Sequence, residues 1–200
     1  MRGRGSAVTE DRDPARTFSP EEEKQLTEQL LALTKSIQRG ELRHRPASVL
    51  LLQDMHDALF ANVRDHAGRL RAPGFGQEYV TFGPNRSVHR NNVRRELERV
   101  FADAARAIAF LDSNHADFES AAIHVAVKLH ADIVRIHPFE DGNGRTSRLC
   151  LAHVLVQCGL EIIPIEAVRQ EYTEALNHYY NERDLEPLVD LYIRLYPIDR

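Results

Sequence analysis

His137-Pro-Phe-Glu-Asp-Gly-Asn-Gly-Arg-Thr-Ser-Arg148 packs a titratable base, two carboxylates, two glycines and two arginines into twelve residues. Ile133, Val134 and Ile136 lead into this run, and Leu149, Leu151, Val154 and Leu155 leave it at helical spacing. The polar stretch therefore reads as a loop between two apolar helices. The backbone amides of Gly142, Asn143 and Gly144 fall at the mouth of the second helix. A helix start offers unpaired N–H groups and a partial positive charge, which make it an anion site. The pattern is that of a loop built to hold polyphosphate.

Each residue type in the loop suits that task. Gly142 and Gly144 let the backbone turn tightly and approach a ligand with no Cβ in the way. Arg145 and Arg148, three apart, share a helix face and can fork onto successive phosphates. Asp141 would repel a polyphosphate unless a cation lay between them, and Mg²⁺ held by a carboxylate and phosphate oxygens fits that arrangement. Glu140 is a second candidate for the same role. His137, with an ordinary pKa near neutrality, is a candidate base for an incoming hydroxyl. Phe139 is read as the apolar anchor of the loop, and Pro138 fixes φ where the preceding helix must stop.

At these residues the chain resembles the Fic family, whose signature H-x-F-x-(D/E)-G-N-G-R-x-x-R is matched at His137, Phe139, Asp141, Gly142, Asn143, Gly144, Arg145 and Arg148. The resemblance implies an all-α helical bundle with a small β-hairpin flap, and transfer of AMP from Mg-ATP to a Ser, Thr or Tyr hydroxyl of a target protein, with release of pyrophosphate. It implies that His137 is the base and that Asp141 binds Mg²⁺. It also implies that Asn143 and the amides around it meet the α-phosphate, Arg145 the β-phosphate and Arg148 the γ-phosphate.

Composition agrees with one enzyme domain. Two hundred residues suffice for a proper core. A net charge of −4 argues against a dedicated nucleic-acid binder. Cys150 and Cys158 lie eight apart in an apolar helix and read as small buried hydrophobes, which suits a reducing cytoplasm. No apolar stretch approaches the ~20 residues of a membrane span.

Residues 1–18 are expected to form a flexible arm, and 19–200 a single domain. Ser19 reads as a helix N-cap with Pro20 in the first helical position, and the apolar face of that helix continues to Gly40. Further helices are expected over 46–67, 93–111, 121–136, 146–158 and 185–196. Ile162 to Ile165 read as a buried connection. Glu78-Tyr79-Val80-Thr81-Phe82, the turn residues Gly83-Pro84-Asn85 and a return through Arg86 suggest a hairpin within 76–92. In the Fic family such a flap aligns the target segment by strand addition. Tyr172 and Asn177 resemble the segment that flanks the family's adenine pocket and are read as nucleotide contacts. His56 and His66 read as structural or surface residues. His124 and His130 share a face, but no carboxylate completes a metal-ligand set with them.

Many Fic proteins also carry an inhibitory (S/T)-x-x-x-E-(G/N) helix, and the sequence has no complete copy. The nearest partial matches run from Ser6 to Glu10 and from Ser19 to Glu23. Control by a separate antitoxin-like partner, or no inhibition of this kind, is the resulting expectation. Two other classes fit the same residues. One is an enzyme of this fold with another nucleotide or reaction, such as removal of AMP, phosphoryl transfer, or UMP or GMP transfer. The other is a catalytically silent interaction module.

Overall fold

The computed structural model describes residues 18–163 and 168–196. The arm up to residue 17, the partial match beginning at Ser6, and the part of the expected connection at Pro164 and Ile165 lie outside them. The described residues form seven α-helices, one 3₁₀ turn and one two-stranded antiparallel sheet.

The first helix, α1 (Pro20–Gln38), begins as its sequence dictates. Glu22 N–H donates to Ser19 Oγ at 3.2 Å and Ser19 N–H donates to the Glu22 carboxylate at 2.7 Å, closing a capping box ahead of three acidic residues at the positive end of the helix. Ser48 caps α2 (Val49–Phe60), which stops well before the expected end at residue 67. The reason is tertiary. Gly68 N–H donates to His56 Nδ1 at 2.8 Å, and Gln53 donates to the Gly68 carbonyl at 2.8 Å, so the chain folds back along α2 through turns.

A hairpin of β1 (Thr81–Phe82) and β2 (Asn85–Arg86) follows, with Thr81 opposite Arg86 and Phe82 opposite Asn85. Its arms are much shorter than the alternation within 76–92 suggested. The Gly83-Pro84 connection has Gly83 at φ 53°, a left-handed value that glycine adopts at little cost.

Four further helices complete the bundle around one central element. These are α3 (Val93–Ala109), α5 (Asn143–Gln157), α6 (Arg169–Glu182) and α7 (Glu186–Leu195). The central helix is α4 (Phe118–Ile136), which packs against α3, α5, α6 and α7. It is apolar nearly all round, as a helix enclosed by others must be. Its one buried acid, Asp132, is held by Lys128 at 2.8 Å, Arg135 at 3.3 Å and the Tyr179 hydroxyl at 2.9 Å, which ties α4 to α6. Burial alone would raise this carboxyl's pKa, and its bonds to Lys128 and Tyr179 hold it below the usual value instead.

Helix α5 wedges between two apolar clusters. Cys150, Leu151, Val154 and Leu155 join the larger one with α3, α4, α6 and α7, while Leu149 and Ala152 join Leu26, Leu51, Met55, Leu59 and Phe60 on the α1–α2 side. Burial pushes the Cys150 thiol up to about 12, so it behaves as a small hydrophobe, as expected. None of the described helices is long and apolar enough to cross a membrane.

Candidate active site

Helix α4 ends at His137, whose backbone takes the left-handed conformation (φ 53°, ψ 64°) although it carries a side chain. Such a residue costs about 1–2 kcal/mol relative to ordinary helix geometry and persists where surrounding bonds over-determine it. Here His137 N–H donates to the Ile133 carbonyl at 2.9 Å and the His137 carbonyl accepts from Arg71 Nε at 2.8 Å. The imidazole is only 4 % exposed. Its Nδ1 lies 3.4 Å from the Val134 carbonyl, and its face stacks on Phe82 of the hairpin at 4.6 Å and 9°. The tautomer with Nδ1–H directed at that carbonyl would leave the acceptor lone pair on Nε2, the form a general base requires.

The loop that follows is held by its own residues. Asn143 is fully buried; its Oδ1 accepts from Phe139 N–H at 2.9 Å and its Nδ2 donates to the Phe139 carbonyl at 3.0 Å. Phe139 points inward, as expected, and stacks on His56 at 3.8 Å. His56 in turn stacks on Phe60 at 4.6 Å. Because His56 Nδ1 accepts from Gly68 N–H, its proton sits on Nε2, which donates to the Asp141 carbonyl at 3.0 Å. Gly142 takes φ 73° immediately before α5, and a Cβ there would run into the Phe60 ring. This glycine is required twice, by its backbone angle and by the space it leaves.

Asp141, Arg145 and Arg64 gather at the start of α5. The Asp141 side chain is 11 % exposed and lies 3.6 Å from Arg64 and 3.7 Å from Arg145. Its Oδ1 also accepts from Gly142 N–H at 2.6 Å. Arg64 continues to Glu22 at 3.4 Å, and Phe18 lies beneath both Arg64 and Arg145 at 4.0 and 5.1 Å. Glu22, rather than Glu23, is thus the α1 carboxylate turned toward the loop, and Glu23 is exposed. The described residues contain no group of three or more His, Cys, Asp or Glu placed to hold a metal. The lone Asp141 carboxylate could serve a Mg²⁺ only with phosphate oxygens and water as the other ligands, the arginines beside it being placed for the phosphates rather than for the ion.

Glu140 turns away from Asp141. It accepts from Gln77 N–H at 2.7 Å and so fastens the loop to the chain entering the hairpin, which corrects its reading as a second metal carboxylate. Tyr172 lies inside the protein, 2 % exposed, with its hydroxyl 2.8 Å from His130 Nε2, a core position rather than the rim expected of a nucleotide contact. Asn177 accepts from Asn85 Nδ2 at 2.8 Å, joining α6 to the hairpin. Burial, together with the charge of Arg148, lowers the His130 pKa to about 3, so this ring is neutral in the folded protein.

Arg71 is the residue the sequence did not disclose. It is 1 % exposed and binds both the loop backbone and the base of the hairpin. The only local signal was its place in Gly68-Arg69-Leu70-Arg71, which read as a helix end. Arg64 was equally silent; His56, read as structural or surface, is structural, and Phe82, read only as part of the hairpin, is the ring that stacks on His137.

A left-handed histidine at the end of α4, a glycine-led start of α5 and a hairpin stacked on that histidine, set in an all-α bundle, define a class of protein. The chain belongs to the Fic/DOC family, whose pattern matches residues 46–155. Over 69 residues it is 44 % identical to the protein adenylyltransferase fic-1 of Caenorhabditis elegans, a match spanning 34 % of this chain and 13 % of that protein. Over 98 residues it is 38 % identical to the ribonucleoside-diphosphate reductase small chain of Ostreid herpesvirus 1 (isolate France), which covers 49 % of this chain and 16 % of that protein. The BepC protein, a VirB-translocated effector of Bartonella tribocorum solved with bound AMPPNP, shares the fold at TM-score 0.70 and 14 % identity, covering 96 % of this chain and 94 % of that one. Fic-1 (aa134–508) from C. elegans superposes at TM-score 0.66 and 24 % identity, over 92 % of this chain and 52 % of that one.

Proposed function

We propose that this chain is a protein adenylyltransferase that moves AMP from Mg-ATP to a Ser, Thr or Tyr hydroxyl of a target protein. The observation that carries the reading is the placement of His137. Its ring is enclosed between the end of α4 and the hairpin residue Phe82, at the head of a loop whose other end is the start of α5 with Asp141 and Arg145. A base beside a strand edge and a phosphate site beside a helix start are the two halves of a transfer reaction to a protein hydroxyl. The likeness to a protein named an adenylyltransferase, and to a fold neighbour solved with AMPPNP, supports the same reading.

In the proposed reaction, His137 Nε2 takes the proton from the acceptor hydroxyl as its oxygen bonds to the α-phosphorus. The bond from that phosphorus to the bridging oxygen breaks, and pyrophosphate carries away the displaced charge. Arg145 and Arg148 face the leaving phosphates, and the first turn of α5 stabilises charge on the phosphoryl group. Asn143 acts through the loop, because both of its polar side-chain atoms hold the Phe139 backbone. Asp141 would hold Mg²⁺ arriving with the nucleotide, an ion that neutralises phosphate charge.

The test uses ATP labelled at the α- or the γ-phosphate, Mg²⁺ and a cell lysate, with the protein and its His137→Ala variant. Protein bands from the α label alone, absent with the variant, are expected. Bands from the γ label would make it a kinase, and bands that persist with the variant would remove His137 from the reaction.

A further inference from the structure

An arginine buried to 1 % normally meets a carboxylate, yet the hydrogen bonds of the Arg71 side chain run to backbone carbonyls and a hydroxyl. Nε donates to the His137 carbonyl at 2.8 Å, and Nη2 to the Ile136 carbonyl at 3.1 Å. Nη1 reaches the Gln77 carbonyl at 3.1 Å and, more weakly, that of Glu78 at 3.4 Å. Nη2 also meets Ser87 Oγ at 3.1 Å and the Val88 carbonyl at 3.0 Å. Its own backbone N–H donates to the Pro138 carbonyl at 2.8 Å. One planar guanidinium thus spans three segments: the end of α4 with the left-handed His137, the segment leading into β1 and the segment following β2.

The pattern is selective. The hairpin has two paired residues on each arm and two further backbone bonds below them, from Ser87 N–H to the Val80 carbonyl and from Arg90 N–H to the Glu78 carbonyl, both at 2.9 Å; these join the arms to each other but do not fix their orientation on the bundle. Below those pairs Ser87 Oγ accepts from Val80 N–H at 2.8 Å while also receiving Arg71, so the two arms converge on the guanidinium. Lysine offers a point charge with no fork and cannot reproduce these directions. Burial lowers the Arg71 pKa to about 10, partly offset by Glu140, so the group stays charged at neutral pH.

We propose that Arg71 is a positioning residue that locks the hairpin to the His137 backbone, so that the platform for the target and the base that activates its hydroxyl keep one fixed spacing. This rests on the reading of His137 as that base. Arg71 touches neither nucleotide nor target in this scheme. Its effect is to set the distance between two groups that do.

The experiment compares the whole protein with Arg71→Lys and Ser87→Ala by hydrogen exchange followed by peptide mass, then by transfer from α-labelled ATP. Exchange is expected to quicken about tenfold or more in Arg71→Lys, both at residues 78–88 and at 136–139, with α3 and α7 unchanged. Ser87→Ala should show the same pair of segments loosened to a smaller degree. The transfer rate should fall on the order of a hundredfold in Arg71→Lys while the affinity for ATP stays within about threefold. Acceleration of the hairpin alone would overturn the coupling. So would loosening of the whole bundle in both variants, which would make Arg71 a residue of general stability. Normal transfer by Arg71→Lys with a loosened hairpin would equally overturn it. If the unmodified protein transfers no AMP, the activity reading fails, and the exchange data still decide whether hairpin and His137 segment open together.

Discussion

The loop from Pro138 to Arg148 and the hairpin around Gly83 face the same site, yet they are built in opposite ways. In the loop, Asn143 closes a two-bond ring with Phe139, Asp141 caps its neighbour, and Thr146 and Ser147 donate back to the Gly142 and Gly144 carbonyls at 3.0 Å. Phe139, His56 and Phe60 stack beneath it. The hairpin has four paired residues, a bond from Asn85 to Asn177, and the remote grip of Arg71. Under the proposed function the loop meets one invariant chemical partner, a polyphosphate, and gains from rigidity. Under the same proposal the hairpin receives a peptide and must present open backbone, so its orientation has to be supplied from below.

The contrast predicts distinct failures. The largest effect is expected for His137→Ala, with transfer falling by about 10²–10⁴-fold and ATP affinity nearly unchanged. Isothermal titration alongside the labelled assay separates the two quantities, and loss of binding with surviving transfer would break the division of roles. Gly142→Ala comes next. It strains the left-handed turn and drives a methyl into Phe60, so unfolding in urea should show a loss of roughly 2–4 kcal/mol together with weaker nucleotide binding.

His130, on the loop side, gives an acid-sensitive signal. Its folded pKa of about 3 lies below the value of 6.5 for an exposed histidine, so between those limits the unfolded chain binds the extra proton. Its contribution to stability is fully present above pH 6.5 and declines by up to about 1.4 kcal/mol per pH unit as pH falls toward 3. His130→Gln should flatten the dependence of urea midpoint on pH between 6 and 4. An unchanged slope would mean that another group carries the acid response.

On the hairpin side the expected changes are kinetic. Phe82→Ala removes the ring stacked on His137 and should slow transfer about tenfold while shifting the melting temperature little, because the side chain is only half-buried. Asn177→Ala, which frees one tether of the hairpin, should cost about 0.5–1.5 kcal/mol in stability and slow transfer only a few-fold. A stability loss at Phe82 as large as that at Gly142 would erase the distinction between the two regions.

The helix order, the N-cap at Ser19, the loop between α4 and α5 and the existence of the hairpin were legible in the chain. Each rests on local chemistry: an N-cap and proline for α1, apolar spacing on both sides of the loop, and Gly83-Pro84 between short alternating segments. The end of α2 was misjudged by seven residues because His56 captures Gly68 and turns the backbone, a bond that periodicity does not encode. Glu140 and Tyr172 were assigned outward roles on resemblance and residue type, whereas their partners Gln77 and His130 lie far from them in sequence.

By itself the sequence determined a succession of helices and a glycine-bearing loop headed by His137, because helix periods, caps and glycine-bearing turns act over a few residues. Only the tertiary structure decided which polar groups are sealed inside and satisfied there. Arg71 is the clearest instance, since an arginine is tolerated in a core only where acceptors converge on its five donors, here carbonyls and a hydroxyl from separate segments, and that convergence exists only once the chain has folded.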